Sequence, residues 1–137
     1  MLLDTEQIFY TDLIAYLPDR YQIIKSSYKY CVVDFMIINT SLLKFIYVEH
    51  KRRYFNKDAF NTIWIKVSKV KNILSRYGKF IFVNTLNNDI IFILIDESTI
   101  DKYEQTTNEY NELVLNISTS DFISGYDDLT AYIIHKI

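Results

Sequence analysis

One cysteine, one proline and two glycines are all that 137 residues contain of these three types. The lone Cys31 excludes a disulfide framework and fits a reducing compartment. Gly78 and Gly125 cannot build a glycine-rich phosphate loop, which excludes the nucleotide-hydrolysing motifs. The longest purely apolar run, Ile90 to Ile95, has six residues, against the roughly 18 that suggest a membrane span. The opening Met1-Leu2-Leu3-Asp4-Thr5-Glu6 lacks the basic-then-apolar pattern of a secretory signal. An intracellular protein with no membrane partner is therefore expected. The chain is 50% hydrophobic, 16% aromatic and 23% charged, too apolar for a disordered segment, and its length suits one domain over residues 1–137.

What is present is unevenly placed. Ile, Asn, Lys, Tyr and Phe supply 63 residues and Ala only three, the bias of an AT-rich genome such as some viruses and mobile elements have. The formal net charge is −2, yet residues 44–79 carry ten Lys and Arg against Glu49 and Asp58, a local +8. Residues 80–137 carry −8 and residues 1–43 carry −2. A basic middle between acidic ends can mark a polyanion-binding face or simply a well-solvated stretch.

With so few Gly and Pro, turns fall to Asn, Asp and Ser clusters. Asp4 and Gln7 resemble a capping box, and Phe9, Leu13 and Tyr16 recur at helical spacing until Pro18-Asp19. Residues 20–25 read as a short strand, followed by a Ser-Ser turn. Residues 30–38 are apolar nearly throughout, as in a strand covered on both faces. Residues 44–51 are a further strand. Residues 55–67, including Ile63, Trp64 and Ile65, read as an extended or irregular connection. Ser68 then looks like an N-cap, with Val70, Ile73, Leu74 and Tyr77 at i, i+3, i+4, i+7 and Gly78 as the stop. A hairpin over residues 79–85 and 89–95 follows. The tail suggests a short helix near 98–105, a strand near 112–117 and an indefinite end from 127. The order α-β-β-β-α-β-β predicts an α/β or α+β sheet with helices packed on it.

The chemistry concentrates in two places. Asp34 is the one charge inside the apolar run 30–38, a costly position unless the carboxylate is paired, hydrogen-bonded or on a metal. Fifteen residues later comes Glu49-His50-Lys51, the only acid-x-Lys triplet in the chain. Alternation along a strand puts Glu49 and Lys51 on one face and His50 on the other. If the two strands are neighbours, Asp34 lies opposite that pair. Two carboxylates and an ammonium converging in this way can hold a hard cation such as Mg²⁺ and orient a water. Either piece taken singly also occurs as an ordinary structural feature. Trp64 and the twelve tyrosines are types that stack on bases, but core or subunit-interface packing is the commoner use of such residues.

Asp34, Tyr47-Val48-Glu49-His50-Lys51 and the element order together resemble the PD-(D/E)XK nuclease superfamily. Over about residues 4–95 the layout is closest to archaeal-type Holliday junction resolvases and small viral nucleases, leaving 96–137 as an extension. The resemblance implies a restriction-endonuclease-like core with a mixed central sheet flanked by helices. It implies Mg²⁺ or Mn²⁺ on Asp34, Glu49 and the backbone carbonyl of His50, with Lys51 acting at the scissile phosphate. Glu6, or else Asp12, would complete the site from the first helix, and Lys69 could approach the phosphate. Arg52, Arg53, Lys57, Lys66, Lys71, Arg76 and Lys79 are then candidates for contacting flanking phosphates. The one literal Pro-Asp, Pro18-Asp19, lies at a helix end, and Val33 precedes Asp34. The expected activity is metal-dependent hydrolysis of DNA, structure-selective like a junction resolvase, by a homodimer. The alternatives are a catalytically silent nuclease-fold protein that binds nucleic acid or serves in viral assembly, and an unrelated interaction protein.

Overall fold

The computed structural model describes residues 5–25 and 33–137. Asp4, the Ser26-Ser27 turn, Cys31 and the first part of the expected strand 30–38 lie outside them. The chain enters through helix α1 (Thr5–Tyr16), which ends ahead of Pro18 as the sequence suggests. Strand β1 (Tyr21–Lys25) pairs antiparallel with β2 (Phe35–Asn39), and β2 pairs antiparallel with β3 (Lys44–Arg52). Strand β4 (Thr62–Lys66) leads straight into helix α2 (Val67–Tyr77), then β5 (Lys79–Thr85) and β6 (Ile90–Asp96) form the expected hairpin. The tail adds α3 (Glu97–Lys102), β7 (Glu104–Thr107), β8 (Leu113–Ser118), a 3-10 turn at Thr119–Asp121, β9 (Ile123–Ser124) and α4 (Tyr126–Lys136).

Two sheets result. The main one runs β1-β2-β3-β5-β6-β9 and is mixed, since β3 and β5 are parallel and its other pairs antiparallel. The smaller one runs β4-β8-β7. Alternation assigns the two faces of the main sheet. Ile46 and Val48 of β3, Ile81 and Val83 of β5, and Phe92 of β6 pack against Phe9 and Leu13 of α1 and Leu129 and Ile133 of α4. On the other face Phe80, Phe82, Ile91 and Ile95 pack against Val70, Ile73 and Leu74 of α2 and against Ile63, Ile65, Leu115 and Ile117 of the small sheet. The molecule is thus layered, with α1 and α4 on one side of the main sheet and α2 with the small sheet on the other.

Four sequence expectations change. Residues 62–66 are a regular strand, whose exposed-buried alternation suits the edge of a sheet. Its partner β8 lies some fifty residues downstream, beyond the reach of local pattern. The helix after it begins at Val67, with Lys66 as N-cap, and not at a Ser68 cap. Val67 is buried in step with Ile63 and Ile65, so the same inward row carries the chain from strand into helix. Strand β2 is covered fully on one face only: Phe35, Ile37 and Asn39 are buried, whereas Met36 and Ile38 are half-buried. The layer of α2 and the small sheet sits over β5 and β6 and leaves that part of the second face thinly covered. Finally, the end of the chain forms the defined helix α4 (Tyr126–Lys136), whose Leu129 and Ile133 are wholly buried.

Gly78 sits at the end of α2 with φ of 79°, and its N–H donates to the Leu74 carbonyl at 2.9 Å. Only glycine takes that left-handed backbone without strain. No helix among the described residues is long and apolar enough to cross a membrane.

Candidate active site

Register builds the site. In the β2–β3 ladder Phe35 faces Val48, so the residue before the strand, Asp34, comes level with Glu49. Asp34 stands just ahead of β2 and not within it. Its Oδ2 accepts the backbone N–H of His50 at 2.8 Å, which answers the question raised by a carboxylate in an apolar run: it clamps the end of β3. Glu49 and Lys51 share the face that carries α2, as alternation requires. Glu49 is only 3% exposed, and one of its oxygens, Oε2, forms an ion pair with Nζ of Lys69 on the first turn of α2.

The electrostatics follow from this crowding. Burial, then the negative charge of Asp34, pushes the Glu49 carboxyl up to about 8, against the opposing pull of Lys69. Lys69 is raised above its usual value, because Glu49, Asp34 and Glu6 outweigh its partial burial. Lys51 is held below its usual value by burial first and then by the neighbouring Arg53 and Lys69 charges. His50 points the other way. Its ring stacks on Phe9 of α1 at 4.5 Å and its Nε2 meets the Thr85 hydroxyl at 2.8 Å. Burial lowers it to about 4, so it is neutral near pH 7.

These groups line an open cleft of about 290 Å³ with Thr5, Glu6 and Arg52. Glu6, in the first turn of α1, reaches the same cleft as Asp34, Glu49, Lys51 and Lys69. Asp12 does not: it accepts from the Tyr126 hydroxyl at 3.4 Å and lines a different cavity. Two observations fit a divalent cation here. Oε1 of Glu49 is buried with no hydrogen-bond partner, and the Asp34 charge beside it disfavours a second carboxylate unless a cation is shared. Among the described residues no group of three or more His, Cys, Asp and Glu is assembled to hold a metal. The carboxylates that would serve as ligands are Asp34 and Glu49, with Glu6 lining the same cleft.

No family model matches the sequence, and no curated protein matches it at a significant level. Its structure is similar to the 1.6 Å structure of Hjc from Archaeoglobus fulgidus, a Holliday junction resolvase from an archaeal hyperthermophile. The likeness has a TM-score of 0.52 at 12% identity and covers 83% of this chain and 88% of that one. The fold is resolvase-like.

Among the cations expected from sequence to contact phosphates, most have intramolecular partners. Arg52 donates to the carbonyls of Arg53 and Thr85 and to Asn87, and lies over the Tyr54 ring. Arg53 donates to Asn84 Oδ1 at 3.2 Å and to the Trp64 carbonyl, with its guanidinium 4.4 Å from the Trp64 ring centroid. Burial lowers the Arg53 guanidinium to about 10. Lys66 pairs with Glu112 at 2.7 Å. Lys57 donates to the Ser124 hydroxyl and lines a cavity apart from the cleft. Lys71 and Arg76 are exposed on α2, and Lys79 is exposed at the start of β5. Thr85 and Asn84 were not singled out from sequence; the β3–β5 register sets Lys51 against Asn84 and Arg52 against Thr85, where they hold His50, Arg52 and Arg53.

Proposed function

We propose that this chain is a metal-dependent nuclease that hydrolyses DNA phosphodiester bonds. The observation that carries the reading is the meeting of Asp34 and Glu49 beside Lys51 and Lys69 in one cleft. In it, Asp34, Glu49 and the His50 carbonyl hold Mg²⁺ or Mn²⁺, and Glu6 approaches from α1. When bound, the ion supplies Lewis acidity and lowers the pKa of an attacking water. The protein's own groups do the rest. Lys51 places a fixed positive charge where negative charge grows on the phosphate. Asp34 holds the end of β3 through the His50 N–H, so Glu49 and Lys51 keep their separation. His50 is neutral and packed against α1, and takes no part in proton transfer. Lys71 and Arg76, exposed on α2, contact flanking phosphates. Branched DNA as the preferred substrate is drawn from the fold likeness.

Cleavage of supercoiled plasmid, single strands and four-way junctions in Mg²⁺, Mn²⁺ and EDTA tests the reading. Cutting is expected only with metal, with Lys51→Ala slower by on the order of 10²- to 10³-fold. No cutting under any condition, or cutting undiminished by Lys51→Ala or Glu49→Ala, overturns it.

One observation favours a second reading. Lys69 already occupies Oε2 of Glu49, as an internal partner would in a catalytically silent protein that only binds nucleic acid. In that case oligonucleotide binding persists without cleavage, and divalent ions leave the melting temperature unchanged.

A further inference from the structure

The cleft continues into a second, more enclosed cavity of about 90 Å³, bounded by Glu49, Lys51, Arg53, Trp64, Lys66 and Lys69. Its size decides what it can hold. It has room for a few waters, the scale of one tetrahedral oxyanion. Four of its lining residues are basic, Lys69 being paired with Glu49 and Lys66 with Glu112, and Ile65 and Phe82 form an apolar wall. Lys66 and Lys69 are the N-cap and a first-turn residue of α2, a helix end with no side-chain cap.

Trp64 stands at the mouth. It lies on the outward row of β4, is 36% exposed and belongs to neither apolar cluster. Core packing therefore does not account for it. One side of its ring is held by the Arg53 guanidinium, which is itself fixed by Asn84 and by the Trp64 carbonyl. The indole is thus set in place before any ligand arrives, and a preset aromatic face loses little freedom on stacking.

We propose that this cavity and Trp64 form a single-nucleotide subsite beside the bond to be cut. One phosphate of the strand sits among Lys51, Arg53, Lys66 and Lys69, and the base attached to it stacks on Trp64. A paired base within a duplex has both faces covered by its neighbours, so the subsite takes an unpaired deoxynucleotide. This rests on the nuclease reading above and sharpens it to strands carrying an unpaired nucleotide next to the scissile phosphate.

Trp64 is the only tryptophan, so its fluorescence reports the subsite without any activity assay. Wild-type protein in EDTA is titrated with (dT)10 and, separately, with a blunt ten-base-pair duplex. Saturable quenching by (dT)10, and little by the duplex, is expected. In anisotropy with labelled (dT)10, Trp64→Ala should weaken binding about 5- to 150-fold, the range for loss of one stacked base. Trp64→Phe, which keeps an aromatic face, should recover most of it. Circular dichroism checks that both variants are folded, and the wild-type quenching stands independently of them. The subsite is overturned if (dT)10 fails to bind or binds without quenching. Equal quenching by the duplex, or undiminished affinity in a folded Trp64→Ala, overturns it as well. Absence of cleavage in Mg²⁺ and Mn²⁺ with quenching intact overturns the nuclease reading alone, so the two failures are distinguishable.

Discussion

Replacing Glu49 with Gln removes a buried titrating group and keeps its shape. In the folded chain Glu49 is 3% exposed and its carboxyl is raised from 4.5 to about 8 by burial and by Asp34. The unfolded chain releases that proton near 4.5, so between 4.5 and about 8 the folded state binds more protons than the unfolded one. Stability must then fall as pH rises through this window. The fall relative to Glu49→Gln is at most about 1.4 kcal/mol per pH unit, and at most about 5 kcal/mol over the whole window. Below pH 4.5 the two proteins should be nearly equal. Urea denaturation of both proteins at half-unit steps from pH 4 to 9, in EDTA, measures the difference directly. Saturating Mg²⁺ or Mn²⁺ should flatten the wild-type curve, since a cation favours the ionised carboxylate, and should leave Glu49→Gln unchanged. Parallel curves for wild type and Glu49→Gln across pH 5–8 would refute the reasoning, because Glu49 would then not be held protonated.

Three further outcomes follow from particular contacts. Asp34→Ala strands the N–H of His50, a residue only 4% exposed, and should cost about 1–3 kcal/mol in urea denaturation as well as removing one carboxylate from the cleft. Leu129→Ala, on the helix that closes the chain, empties a fully buried site and should cost about 2–5 kcal/mol; a loss below about 1 kcal/mol would mean that α4 is not part of the core. Gly78→Ala meets no neighbouring atom within 4 Å, so its cost should be the left-handed backbone alone, about 1–2 kcal/mol by thermal or urea denaturation.

The elements that were legible share one property: their signals are local. Val70, Ile73, Leu74 and Tyr77 announce α2, and Gly78 its end, because helical periodicity and a left-handed stop are written within a dozen residues. Asn87 and Asn88 mark the hairpin between β5 and β6 in the same way. The start of α2 misled because Ser68 is a good cap by type, while burial of Val67 in line with Ile63 and Ile65 sets the actual boundary. Strand β4 was illegible because its pairing partner, β8, is remote in sequence. Lys57 and Asp12 look like site residues by charge and position, yet Ser124 and Tyr126, both from the tail, hold them elsewhere.

The sequence by itself determined that Glu49 and Lys51 share one face and His50 the other, since a strand alternates whatever surrounds it. It determined also that positive charge gathers in residues 44–79. Only the tertiary structure decided that Asp34 meets Glu49, through the pairing of Phe35 with Val48, and that Lys69 closes on the same carboxylate. It likewise left Trp64 outside the core, at the mouth of a cationic cavity. Alternation and periodicity are properties of neighbouring residues. Register between strands, and the burial of a carboxylate beside an ammonium, depend on which distant surfaces pack together, and that is set by the whole chain folding at once.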